Sequence, residues 1–180
     1  SAGFSSGQPN KKNKIQFNSI NQPYVAFCDS TVSQRIVVYK YNGTNWVRIP
    51  GSGNITESAV YQQFDFGLSS SDTPYLIYRD KLVDYKNSTS VKKYNGTNWI
   101  YVGSKNFTVA TPSIFPKLFF PSGDVPFVLA ARSGIPYKRY IYGFDGTNWI
   151  PSGSYICEVG DNVISTIVNS FGKLYIINPD

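Results

Sequence analysis

Residues 39–46 read Y-K-Y-N-G-T-N-W, residues 92–99 read K-K-Y-N-G-T-N-W, and residues 142–149 read Y-G-F-D-G-T-N-W. Each copy ends in one of the chain's three tryptophans, Trp46, Trp99 and Trp149, spaced 53 and 50 residues apart. A second marker keeps step with them: Pro23-Tyr24, Pro74-Tyr75 and Pro126-Phe127 each precede their tryptophan by 23 to 25 residues. Self-similarity at a fixed period is the signature of a repeat architecture, here with a unit of about 51 residues.

Within the first unit the punctuation marks four short strands: KIQFNSI, YVAFCD, RIVVYKY and TNWVRIP, separated by NQP, STVSQ and NG. Helical periodicity is absent. Asn-Gly or Asp-Gly between apolar runs is a strong hairpin signal, because a type I′ turn needs positive φ at both central residues. A two-residue loop at Asn42-Gly43 sets Tyr41 opposite Thr44, Lys40 opposite Asn45 and Tyr39 opposite Trp46. The same rule pairs Tyr142 with Trp149, whereas Lys92 meets Trp99. The other face pairs Val38 with Val47, Val91 with Ile100 and Ile141 with Ile150. Both faces of the hairpin are therefore apolar near its middle.

A sheet with one wet face alternates strictly. A sheet apolar on both faces is stacked between others, as in the blades of a propeller. The expectation is an all-β chain: a β-propeller, or a partial propeller of about three and a half four-stranded antiparallel blades. The blades fall at residues 1–53, 54–105 and 106–154, with a half blade at 155–180, where NVISTIVNS and KLYIINPD supply only a first and second strand. A half blade leaves a strand edge unpaired. The strand from Lys173 to Asn178 and the outer face of the first unit are thus expected to be covered by another copy, another chain or further polypeptide. The alternative is a small four-bladed ring, which would bring Cys157 towards Cys28.

The pieces AGFSSG, PYVAFCD and VYKYNGTNWV resemble the roughly 50-residue repeat of large secreted bacterial proteins, written G-F-S-x-G, P-Y-V-A-Y-x-D and K-Y-N-G-T-x-W. The second and third copies lack the first piece, and the third replaces the equivalent of Asp29 and Asp80 with AARSG. The resemblance implies a propeller and an extracellular or cell-surface setting. It implies no particular ligand.

Composition bounds the chemistry. The 180 residues are 41% hydrophobic and only 16% charged, and no apolar run approaches the roughly 20 residues of a membrane helix, so membrane insertion is not expected. The chain begins at Ser1 and holds no Met, so it reads as a processed or excised piece. The net charge of +6 is scattered. Its one tight group, Lys11, Lys12 and Lys14, reads as a solvated loop rather than a nucleic-acid site. Cys28 and Cys157 match no metal spacing; a disulfide would suit an oxidising compartment, but the apolar run around Cys28 favours a buried thiol.

Histidine is absent, which removes the commonest general base and metal ligand. Asp29 and Asp80 end the second strand of their units and read as caps of the following turn rather than calcium ligands or glycosidase carboxylates. No phosphate loop, dinucleotide fingerprint, zinc or calcium pattern occurs, so no cofactor or metal is expected. The candidate ligand-binding residues are aromatic: Trp46, Trp99, Trp149, Tyr39 and Tyr142 either stack on sugar rings or fill the space between blades. Five N-x-Ser/Thr sequons stand at Asn42, Asn54, Asn87, Asn95 and Asn106. The expected role is a non-enzymatic extracellular module for binding or surface assembly through protein–protein contacts. The alternative is a propeller lectin with tryptophan-lined glycan sites between blades.

Overall fold

A proline at the head of a strand sets φ without sacrificing an interior ladder hydrogen bond, and each Pro-aromatic marker opens or immediately precedes the second strand of a four-stranded unit. The computed structural model describes residues 9–50, 55–57, 60–80, 88–108, 116–132, 137–154, 157–159, 165–169 and 173–177. Sheet 1 runs β1 (Pro9–Phe17), β2 (Pro23–Asp29), β3 (Arg35–Tyr41), β4 (Trp46–Arg48) in spatial order. Sheet 2 repeats it with β5 (Val60–Leu68), β6 (Pro74–Asp80), β7 (Thr89–Tyr94) and β8 (Trp99–Tyr101). Sheet 3 does so with β9 (Lys117–Phe119), β10 (Phe127–Arg132), β11 (Tyr137–Phe144) and β12 (Trp149–Pro151). All pairings are antiparallel, and the helical content among the described residues is one short 3-10 segment, Ser30–Val32.

Strand β13 (Cys157–Val159) pairs with Tyr137–Arg139 and extends sheet 3. The chain leaving each fourth strand passes the start of the third: Val60 N donates to Gln34 O (3.4 Å) and Phe107 N to Thr89 O (3.2 Å) in the earlier units. A further hairpin follows, formed by β14 (Ser165–Val168) and β15 (Leu174–Ile177). Its turn, with Asn169 N donating to Lys173 O (3.0 Å), repeats that of sheet 1, where Asn18 N donates to Gln22 O (3.1 Å).

The expected hairpin register is corrected by one turn position. Asn42 N donates to Asn45 O (3.0 Å), and Asn42 Oδ1 accepts from the amides of Thr44 (3.0 Å) and Asn45 (2.8 Å). Asn95 and Asp145 do the same in their copies. Within these three hairpin turns positive φ falls not on the Asx but on Gly43 (97°), Gly96 (97°) and Gly146 (103°), the first central residue as in a type II′ turn. The Asx oxygen closes the loop around Gly-Thr, so Tyr41 rather than Tyr39 meets Trp46, Lys40 meets Val47, and Tyr39 meets Arg48. Likewise Tyr94 meets Trp99 and Phe144 meets Trp149, while Tyr142 meets Pro151. All three copies then hold an aromatic pair, with ring centroids 5.6, 5.7 and 5.2 Å apart.

Two apolar cores show that sheet 2 is apolar on both faces. Tyr24, Ala26, Cys28, Ile36, Val38 and Ile49 of sheet 1 pack against Phe64, Phe66, Leu76, Tyr78 and Trp99 of sheet 2. Tyr75, Ile77, Val91 and Val102 on the other side of sheet 2 pack against Leu118, Val128, Ala130, Tyr142 and Trp149 of sheet 3. Each sheet therefore has a leading face towards the next unit and a trailing face towards the one before. The first strands β1, β5 and β9 lie side by side. There Asp65 takes a salt bridge from Lys14 (2.7 Å) and the amide of Leu118 (3.1 Å). Lys12 and Lys14 belong to strand β1 and are half-buried, which corrects the solvated-loop reading. Burial pushes the Lys12 ammonium down to about 8 against the pull of Asp65.

Cys28 is a free, fully buried thiol, pushed up to about 11 mainly by burial. In a Cys157→Ser background the native protein at pH 8 is therefore expected to resist thiol reagents until it is unfolded; fast labelling of the folded state would contradict this placement. Trp99 and Trp149 are 9% and 8% exposed, whereas Trp46 is only half-buried. Trp99→Ala and Trp149→Ala should each cost about 3–5 kcal/mol and Trp46→Ala about 1–2 kcal/mol in denaturant unfolding. Equal losses at all three positions would show that Trp46 is covered as the others are.

Candidate functional site

The register that sends the tryptophans to the trailing face sends the residue before each Tyr-Asn-Gly to the leading face. Lys40 stands opposite Tyr24 on β2, and Lys93 stands opposite Tyr75 on β6. The third copy has Gly143 opposite Phe127, and a Cβ added there would lie 3.0 Å from the Phe127 ring. These cross-strand pairs open onto two clefts at the rim between adjacent sheets.

The first cleft, of 570 Å³, is lined on the sheet 1 side by Tyr24, Lys40, Val47, Arg48, Ile49 and Pro50. Its sheet 2 side carries Asp72, Thr73, Pro74, Lys93 and the hairpin tip Tyr94-Asn95-Gly96. The second, of 380 Å³, repeats the pattern one unit later. Tyr75, Lys93 and Val102 face Asp124, Val125, Pro126 and the tip Phe144-Asp145-Gly146. The tripeptide tip and the Asp-x-Pro turn thus occupy the same places in both.

The acids of the clefts bind each turn to the one before. Asp72 accepts from the Ser19 amide (2.8 Å) and hydroxyl (2.5 Å). Asp124 accepts from the Ser70 hydroxyl (3.0 Å) and the Ser71 amide (2.9 Å). Donors of the Ser69–Ser71 turn, the Ser69 hydroxyl foremost, hold the Asp124 carboxyl down to about 2. Burial, reinforced by Asp72 and Asp124 respectively, raises the phenols of Tyr24 and Tyr75 above the usual tyrosine range.

None of the five aromatic residues expected to bind ligand lines either cleft. Trp99 and Trp149 lie in the two cores, and Trp149 Nε1 donates to Val102 O (2.7 Å). Tyr142 packs edge-on against Phe107 at 5.5 Å, Tyr39 stacks on Phe27 at 5.8 Å, and Trp46 pairs with Tyr41. Asp29 caps its turn through Oδ1, which accepts from the amide (2.8 Å) and hydroxyl (2.7 Å) of Thr31; the side chain of Asp80 lies outside the described residues. Of the sequons, Asn42 and Asn95 are exposed at hairpin turns, Asn106 is partly buried and bonded to Ser90 (3.0 Å), and Asn54 and Asn87 lie outside the described residues. The lining residues Lys40, Lys93, Asp72 and Asp124 were legible as repeated positions: Lys before Tyr-Asn-Gly in two copies, and Asp two residues before Pro in two.

No family model matches the chain, and no curated protein matches it by sequence; the likeness of its repeat to that of secreted bacterial proteins rests on the motifs alone. Among solved structures, it is similar to a fucose lectin from Kordia zhangzhouensis in complex with methyl-fucoside. The TM-score is 0.53 at 10% identity, over 81% of this chain and 100% of the lectin chain. That likeness is one of fold.

The Asp124 latch has a signed pH dependence. A carboxyl held below its unfolded value contributes stability above the ordinary carboxylate range and loses it as pH falls through the folded value. The difference in melting temperature between the wild type and Asp124→Ala should narrow from about pH 4 to about pH 2, with a carboxyl NMR midpoint near 2. A midpoint in the ordinary range of an exposed aspartate would show that the serine turn does not hold it.

Proposed function

We propose that this chain is a non-enzymatic carbohydrate-binding module, a partial β-propeller of about three and a half blades whose clefts between blades take saccharide residues. The observation that carries the reading is the duplicated cleft: the same tyrosine, lysine, Asp-x-Pro turn and aromatic-Asx-Gly tip recur between sheets 1 and 2 and between sheets 2 and 3. Repetition of lining residues, rather than of core residues alone, is what a repeat protein with one site per interface requires. Clefts of this size, with apolar walls and a few convergent polar groups, fit small-ligand sites. The fold likeness to a fucose lectin supports a sugar as the occupant. An extracellular or cell-surface setting accompanies this reading, as the motif resemblance implies.

Protein–protein assembly is the second reading, favoured by the trailing face of sheet 1. Ile15 and Phe17 there are 57% and 59% exposed, while their counterparts Phe66 and Leu68 in sheet 2 are packed in a core. Another copy or another chain covering that face would complete the ring.

A glycan array probed with the wild type should return saccharide binding, and the double variant Thr73→Tyr/Val125→Tyr, which fills both clefts from their half-buried or exposed rims, should lose it while melting normally. Absence of saccharide binding, together with a stable oligomer in sedimentation, would favour assembly instead.

A further inference from the structure

The two clefts are alike in plan but not in charge. The first is lined by three cations, Lys40, Arg48 and Lys93, against the two carboxylates Asp72 and Asp124. Lys93 is the single cation of the second, against Asp124 and Asp145. None of the three cations has an ion-pair partner among the described residues. Both carboxylates of the first cleft, by contrast, are already engaged by serine hydroxyls and amides of the preceding turn. A small cleft with tyrosine walls that is lined by three such cations is equipped to receive an anionic group at its rim, and hydrogen bonds from cations to such groups are the strong ones. The hairpin tip sharpens the contrast: it is Asn95 in the first cleft and Asp145 in the second, and the two side chains close the same turn.

Resting on the glycan-binding reading, we infer that the cleft between sheets 1 and 2 selects saccharides bearing a carboxylate or sulfate, and that the cleft between sheets 2 and 3 does not. Lys40 and Arg48 supply the selectivity from sheet 1. Asn95 permits it, because a carboxylate at that position would place a like charge beside the ligand. Lys40 and Arg48 line the first cleft alone, and with Lys93, which borders both clefts, they form a compact cluster rather than the continuous stripe that tracks a nucleic-acid backbone, so a saccharide is the occupant.

The test is calorimetry on the whole chain with matched polymers, polygalacturonate against its fully methyl-esterified form, and dextran sulfate against dextran. The acidic form of at least one pair should bind about tenfold tighter or more than its neutral form. Binding in the polygalacturonate pair alone identifies a carboxylate, and in the dextran pair alone a sulfate; either supports the inference. Lys40→Gln and Arg48→Gln should each weaken the acidic polymer about fivefold, and Asn95→Asp, which keeps the turn as Asp145 does, about tenfold. Lys173→Gln, an exposed charge outside both clefts, should leave it within about twofold. An equal loss in Lys173→Gln would reduce the effect to bulk charge and overturn the inference. Neutral and acidic polymers bound equally well, with loss on Thr73→Tyr, would overturn it while leaving the glycan-binding reading standing. No polymer bound at all would remove that reading itself. Single-stranded DNA binding more tightly than any polysaccharide, with the same dependence on Lys40 and Arg48, would overturn the saccharide assignment.

Discussion

Each sheet past the first is fixed by the seat its tryptophan takes under the sheet before it. Trp149 shows the seat most fully. Its indole stacks on Phe107 at 4.9 Å, donates to the carbonyl of Val102 at 2.7 Å and presses on the backbone at Gly103. A Cβ at Gly103 would lie 3.1 Å from that indole, and its φ of +68° belongs to the region glycine adopts freely. The close approach and the carbonyl acceptor together set how far sheet 3 slides along sheet 2. From that seat follow the core between them, the height of the hairpin tip above the rim, and so the shape of the cleft.

Most of the architecture was legible in the period and the punctuation. The spacing of Trp46, Trp99 and Trp149, the Pro-aromatic markers and the apolar character of both hairpin faces define stacked four-stranded sheets, and three such sheets are present. The turn was less legible. Asn-Gly can occupy the centre of a type I′ turn, or the Asn can stand outside it and fold its side chain over Gly-Thr; both satisfy the same residues. The deciding bonds run from the amides of Thr44 and Asn45 to the Asn42 side chain. One position of turn moves every cross-strand partner by two, and the odd pairing of Lys92 with Trp99 was the sign that the simpler turn was wrong.

The same shift separates packing from the candidate site. Tryptophans dominate the repeat to the eye, but the hairpins present Trp99 and Trp149 to the cores, while the less conspicuous Lys40 and Lys93 point to the rim beside Tyr24 and Tyr75. The contribution of Asp72 and Asp124 was not legible, because their role depends on a contact 53 residues away in another turn. Side chains that bridge neighbouring repeats leave a periodic trace in the sequence but no trace of what they touch.

Because every sheet offers a leading face to the next, the number of clefts follows from topology: an open stack has one fewer cleft than it has sheets, and a closed ring has as many of each. Lengthening the stack therefore raises valency in step with size. On the proposed glycan-binding reading, clefts held on one body would meet a repetitive polymer at a fixed separation, and a second contact would form at high effective concentration once the first is made. Weak contacts at single clefts would then suffice for firm retention on a surface that displays many saccharide residues, while a free monosaccharide would gain nothing from the arrangement.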